Sequence, residues 1–368
     1  MANLNYDSIL RHFRLKGTVA EVRPLGNGLI NETLIVKTKE TDAPDYVLQR
    51  INNAIFTDVD LLQRNIENAT EHIREKLRKA GTTDIDRKVL TLVPTDEDKT
   101  YYYDASEQDA ALKGYWRITV FIPRSVTKEA VNPDSSRLCG KAFGQFQAML
   151  SDIKKPMGES IPDFHNMELR LRQLRDAVKA DAAGRVAQVG DLIDEIERRA
   201  ESMTIAERLF REGRLPKRIC HCDTKVNNML FDEGGDFLCV IDLDTIMPSF
   251  IFSDYGDFLR TAANTVAEDS PEIEKVHFRM DIFKAFTEGY LESAKAFLTD
   301  IEIQMLPYAV KLFPYMQAAR FLTDYINGDT YYRIQYPEHN LVRTKNQIAL
   351  LHSIEDTEEE IEDFIRQF

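Results

Sequence analysis

The chain is poor in the residues that build special architectures. Its 368 residues include only four cysteines, irregularly spaced, which excludes a disulfide framework and points to a reducing cytoplasm. No basic stretch offsets a formal net charge of −14, so nucleic acid is not expected as a partner. No apolar run approaches the length of a membrane span, and the opening MANLNYDSILRHFRLKG lacks an apolar segment of signal-peptide length. No membrane partner is therefore expected. Repeats and low-complexity tracts are missing as well. With 43% hydrophobic and 29% charged residues, what remains is the composition of a folded globular protein.

A chain of this length exceeds one ordinary hydrophobic core and predicts two lobes sharing a cleft. TVAEVRPL, ETLIVKT and DYVLQRI are apolar or alternating runs split by turn residues, which suits a small antiparallel sheet. VDLLQRNIENATEHIREKLRKAG follows as an amphipathic helix with Gly81 as its stop. KVLTLVPT, KTYYYDA and YWRITVFIP read as further strands, the last closed by Pro123. From Pro133 onward helical periodicity dominates, and the charged C-terminal segment reads as a solvated terminal helix.

The part of the chain that carries chemistry is HCDTKVNN at 221–228, followed by IDLD at 241–244. Two short strands flanking a loop would place Asp223, Asn228 and Asp242 around one point. The spacing H-x-D-x-x-x-x-N is that of the catalytic loop of protein kinases. Phosphoryl transfer needs a carboxylate at the attacking hydroxyl and hard oxygen donors for magnesium on the phosphates. Asp223 is then the general base and Lys225 the cation facing the transferred group. Asn228 and Asp242 are the metal ligands, and Asp244 completes the shell or orients the acceptor. His221 is expected to pin the loop. Cys220 and Cys222 lack the second ligand pair a zinc site needs and read as alternate residues of a buried strand. The fold expected is α+β and bilobal, protein-kinase-like, with a small β-rich nucleotide-binding lobe over 1–123. A larger, mainly helical catalytic and substrate-binding lobe covers 124–368.

Other positions admit two readings. Gly26 and Gly28, in PLGNGL, form either a plain turn or a hairpin whose backbone covers nucleotide phosphates. On the third strand, Gln49 or Arg50 stands where protein kinases carry a lysine. Glu67 or Glu71 could pair with Arg50, and strand alternation lets only one of Gln49 and Arg50 face the cleft. SDYGDFLR, with Asp254, Asp257 and Arg260, is either a helix start or part of the site. Arg320 either pairs with Asp324 one turn on or binds substrate.

HCDTKVNN, IDLDT and the two-lobe plan resemble the aminoglycoside phosphotransferase/choline kinase superfamily. YVLQRIN, IDLDTIMP, KVHF, RFLTDYINGD and YPEHNLVRTKNQIAL are similar, nearly end to end, to the N-acetylhexosamine 1-kinases within it. The resemblance implies ATP- and Mg2+-dependent phosphorylation of the anomeric hydroxyl of N-acetylglucosamine or N-acetylgalactosamine. It makes Asp223 the base, Asn228 and Asp242 the metal ligands, Arg320 and Tyr331 sugar contacts, and Gly26 and Gly28 the nucleotide-covering turn. Leu29, where a histidine is expected, and Thr261, where a phenylalanine is expected, depart from the pattern. The competing readings are a related kinase acting on choline, homoserine, an aminoglycoside or another sugar, and a non-catalytic nucleotide-binding regulator. The oligomeric state is not legible in the sequence.

Overall fold

The structure is a computed structural model that describes residues 6–26, 31–105 and 112–368. Contacts divide it into two compact units. The first contains Met1–Val126 together with Ile153–Pro162 and Leu230–Ile246, and the second holds the rest. A contiguous division at 123/124 would assign both of those later segments to the second lobe.

The first unit is built on an antiparallel sheet ordered β1-β2-β3-β5-β4. Its strands are β1 (Val19–Pro24), β2 (Glu32–Thr38), β3 (Tyr46–Ile51), β4 (Tyr102–Asp104) and β5 (Gly114–Val120). Strand alternation gives it two chemically different faces. Leu34, Val36, Tyr46, Leu48, Trp116 and Ile118 pack with Ile9 and Leu10 of the short helix α1 (Asp7–Leu10) and with Phe13. The other face carries Thr33, Gln49 and Arg117 side by side in register.

Helix α2 (Val59–Lys79) starts where the Asp58 carboxylate accepts the Leu61 N–H at 2.8 Å, and it ends just before Gly81 at φ +68°. Its buried Asn65 holds both outlying segments. The amide nitrogen donates to the Gly158 and Ile246 carbonyls at 2.7 and 3.0 Å, and the amide oxygen accepts the Gly158 N–H at 3.1 Å.

Two expected features take other forms here. KVLTLVPT is not a strand, because it pairs only through isolated bridges, Leu92 with Thr119 and Thr95 with Phe13. β5 ends at Val120, before Pro123.

The second unit is helical. It contains α3 (Pro133–Leu150), α4 (Met167–Ala180), α5 (Gly190–Met203), α6 (Ile205–Arg211) and α7 (Phe252–Ala262). It continues with α8 (Met280–Ala294), α9 (Asp300–Gln304), α10 (Leu306–Ile326), α11 (His339–Glu355) and α12 (Glu358–Ile365). α10 is apolar nearly all round and forms the centre, packed by α4, α7 and α11. α12 is not fully solvated, since Ile361 and Ile365 are buried.

Helices α3 and α8 approach very closely because glycine removes the side chain at the contact. A Cβ on Gly140 would lie 2.1 Å from the Phe286 carbonyl oxygen, and one on Gly289 would lie 2.0 Å from that of Arg137. The same two helices carry Gln147 and Tyr290, which meet beneath the loop described next.

Candidate active site

Strand Arg218–Cys220 pairs antiparallel with Met247–Ser249 and delivers the chain into the loop at 221–225. A single 3-10 turn, Val226–Asn228, follows. The loop turns through Cys222 at φ +64°, a left-handed conformation that a side-chain-bearing residue keeps only when its surroundings enforce it.

Asp254 on α7 supplies that enforcement. Its carboxylate accepts the N–H groups of His221 at 3.0 Å and Cys222 at 2.8 Å. Gln147 of α3 donates to it at 2.8 Å and is itself bonded by the Tyr290 hydroxyl of α8 at 2.5 Å. Thr224 completes the clamp, its hydroxyl donating to the Asp254 carbonyl at 2.8 Å and its N–H to Asp257 at 3.2 Å. SDYGDFLR is therefore both a helix start and the brace of the loop. Burial pushes the Asp254 and Asp257 carboxyls up, against the pull of His221 on the first and Arg260 on the second.

Asp223 emerges from this clamp with 25% of its side chain exposed. Lys225 Nζ lies 3.0 Å from one carboxylate oxygen, and Asn228 Nδ2 lies 3.2 Å from the other. His221, fully buried, accepts the Asp223 N–H on Nδ1 at 3.2 Å, the pinning contact expected of it. Burial raises the Asp223 carboxyl, but Lys225, His221 and Asn228 outweigh it and hold the group below the usual carboxylate range. Asn228 also donates Nδ2 to the Asp223 carbonyl at 2.8 Å. With its amide nitrogen facing two acceptors, Oδ1 is the atom left to meet a cation.

Asp242 and Asp244 belong to the first unit and have different surroundings. Asp242 is exposed and sits at φ +59°, again left-handed. Asp244 is buried, receives the Asn31 amide and pairs with Arg117. That engagement leaves it badly placed for the expected role in completing a metal shell or orienting an acceptor. Asn228, in the second unit, offers an amide oxygen and Asp242, in the first, an exposed carboxylate, each a hard oxygen donor of the kind magnesium takes. Among the described residues no group of three His, Cys, Asp or Glu side chains forms a metal cluster. Cys220 and Cys222 are free and buried, and burial raises both thiols well above their usual range.

The β1–β2 hairpin closes where Leu25 N–H meets the Thr33 carbonyl at 2.9 Å, with Gly26 at φ +69°. Gly28 and Leu29 lie outside the described residues. On β3, Gln49 shares the polar face with Arg117, whose Nε donates to it at 3.0 Å. Arg50 lies on the opposite face, over the Trp116 ring and bonded to the Lys113 carbonyl. Glu67 accepts from Thr100 at 2.5 Å and Glu71 pairs with Lys155, so neither matches the partner suggested for Arg50.

Arg320 does not pair with Asp324. The Asp324 carboxylate accepts the N–H groups of Thr330, Tyr331 and Tyr332 and the Asn340 amide, all at 2.8–2.9 Å, and so ties the turn after α10. Arg320 lies over the rings of Phe164 at 5.2 Å and Tyr332 at 5.6 Å and bonds Gln317 at 2.9 Å. Tyr331 is 59% exposed and stands edge-on to Tyr332. The Tyr332 hydroxyl is buried without a hydrogen-bond partner among the described residues. Nearby, burial and the Arg320 charge lower Arg170 to about 10. Burial and the charges of Arg320, Arg170 and Arg260 push His165 well below its usual value. Glu268 feels both Arg260 and Lys225, and Tyr332 feels both Arg320 and Glu268, so one charged region runs from the loop to Arg320. Thr261 turns its hydroxyl back onto the Asp257 and Phe258 carbonyls.

Sequence reasoning missed Arg117, Gln147, Phe164 and Tyr332. A lone arginine in the apolar strand YWRITV was the one local signal available for any of them.

The fold and the loop define a kinase-like phosphotransferase. Residues 21–295 match the profile of APH, the phosphotransferase enzyme family, and the protein belongs to that family of small-molecule phosphotransferases. An aminoglycoside phosphotransferase from Alicyclobacillus acidocaldarius is similar over 100% of this chain and 98% of its own, with TM-score 0.63 and 12% identity. Amicoumacin kinase, in complex with AMP-PNP, Ca2+ and Ami, matches over 89% and 87%, with TM-score 0.57 and 15% identity. The ethanolamine kinase of Plasmodium vivax matches over 89% and 82%, with TM-score 0.54 and 16% identity. At these identities the likeness establishes the fold, and the acceptor must be argued from the residues.

Proposed function

We propose that this protein is an ATP-dependent sugar 1-kinase that phosphorylates the anomeric hydroxyl of an N-acetylated hexose, N-acetylglucosamine or N-acetylgalactosamine. The observation that carries the phosphotransfer half is Asp223, partly exposed and held between Lys225 and Asn228. It can accept a hydrogen bond from the acceptor hydroxyl, align its oxygen on the γ-phosphorus and take the proton late, as the bond to ADP breaks. A weakly basic carboxylate suffices, because an anomeric hydroxyl is more acidic than an ordinary alcohol and a loose transition state asks mainly for positioning. Lys225 is the cation nearest the transferred group. Asn228 and Asp242 are the residues that would hold magnesium, which when bound neutralises charge on the phosphates. The AMP-PNP and Ca2+ in the amicoumacin kinase complex support a nucleotide plus a divalent cation.

The acceptor half rests on the charge around Arg320. Among the described residues Arg320 and Arg170 hydrogen-bond only neutral groups, so the part of the region they occupy, beyond the Arg260–Glu268 pair, is cationic. It disfavours polycationic aminoglycosides, choline and ethanolamine and suits a neutral polyol carrying an acyl carbonyl. Phe164 and Tyr332 offer ring faces, and the unpaired Tyr332 hydroxyl offers a hydrogen bond. The test is ATP turnover with N-acetylglucosamine, N-acetylgalactosamine, glucose, choline and an aminoglycoside. The N-acetylated sugars are expected to be the best acceptors. A preference for a cationic acceptor would overturn the reading, and tight nucleotide binding without turnover on any acceptor would favour a regulator.

A further inference from the structure

Protein kinases carry a phosphate-binding lysine on their third strand, and β3 has no lysine here. Arg50 lies on the Trp116 face and Gln49 is neutral. The charge on the polar face comes instead from β5, one strand over. Arg117 stands directly opposite Gln49, with 4% of its side chain exposed, and pairs with Asp244, itself 5% exposed.

Asp244 is the centre of a closed polar cluster. The Asn31 amide donates to its carboxylate, and Asn31 Oδ1 in turn accepts the Asn52 N–H at 2.9 Å, just after β3. The Ser160 hydroxyl donates to the Asp244 carbonyl at 3.0 Å. Two residues earlier the chain passes through Asp242 at φ +59° and ψ 55°. Aspartate tolerates that left-handed conformation better than most residues, and the contacts beside it hold the turn there. The cluster fixes the backbone immediately after Asp242.

We propose that Arg117 is a positioning residue for metal binding: by holding Asp244 it sets the turn that presents the Asp242 carboxylate to a magnesium–nucleoside triphosphate. Asp244 thereby acts inside the protein, through the turn that carries Asp242. This inference rests on the kinase reading above.

The experiment measures binding of AMP-PNP by titration calorimetry over a range of Mg2+ concentrations, with melting temperature and circular dichroism recorded for each protein. The variants are R117M, R117K, D244N and the double variant R117M/D244N. The double variant leaves no unpaired buried charge and so is expected to fold even where a single substitution does not. R117M and the double variant are expected to raise the Mg2+ concentration for half-maximal binding by about 10- to 100-fold, the usual effect of losing a group that orients a metal ligand. Metal-free affinity is expected to stay unchanged, and R117K to recover part of the metal response. An unchanged Mg2+ requirement in folded variants would overturn the inference and leave Arg117 a purely structural residue. Loss of metal-free affinity would also overturn it, because Arg117 would then touch the nucleotide itself. Absence of Mg2+-dependent binding by the wild type would defeat the kinase reading and this inference with it.

Discussion

Asp223 shows how one carboxylate is made suitable for its task by its immediate neighbours. Lys225 and Asn228 offset the burial that would protonate it, so it stays ionised well below neutral pH. Because its pKa in the folded protein is depressed, its contribution to stability is present above the unfolded value and is lost as pH falls through the folded one. In a pH–rate profile kcat is therefore expected to show no limb from Asp223 down to about pH 4. A limb near neutrality that disappears in Asp223→Asn would contradict this. The same substitution is expected to cut kcat by about 10²- to 10⁴-fold, the usual worth of a positioned base, with AMP-PNP affinity little changed. Asp254→Asn tests the clamp behind it. An amide in place of the carboxylate sets a donor against the His221 and Cys222 N–H groups, one of which loses its acceptor. A stability loss of about 1–3 kcal/mol by chemical denaturation, with kcat reduced more than KM is raised, is the expected result. Unchanged kcat would show that the Cys222 turn holds without Asp254.

At the scale of elements, the glycine contact between α3 and α8 joins packing to the site. Those helices carry Gln147 and Tyr290, and their spacing sets where the amide meets Asp254. Gly289→Ala would drive a methyl group into the Arg137 carbonyl and is expected to cost about 1–3 kcal/mol of stability. Gly190→Ala, in open space at the start of α5, is the control and is expected to be near neutral. Equal melting temperatures for the two variants would mean that the helices separate freely. The strands β1, β2, β3 and β5 and helix α2 were legible because alternation and periodicity are local. KVLTLVPT was misread because its alternation meets only isolated partners, a matter of pairing that no local pattern encodes. Gln49 and Arg50 could be resolved only by register, since a strand's two faces are equivalent until its neighbours are known.

For the whole molecule, the candidate loop and the family were legible because HCDTKVNN and IDLD lie in two short stretches of sequence. The supporting residues were not. Arg117 and Asp244, or Gln147 and Asp254, lie more than a hundred residues apart and meet only in the folded chain. The Arg320–Asp324 pairing suggested by helical spacing gave way because Asp324 satisfies four N–H donors elsewhere, which one arginine could not offset. The acceptor proposal draws on that outcome, since pairing with Asp324 would remove the contribution of Arg320 to the positive character of the region. The most direct measurement is phosphorus NMR of the reaction of Mg2+–ATP with N-acetylglucosamine or N-acetylgalactosamine. The account predicts a new phosphomonoester signal coupled to the anomeric proton, absent with Asp223→Asn. A phosphate on any other hydroxyl, or no product beside brisk phosphorylation of a cationic acceptor, would contradict it.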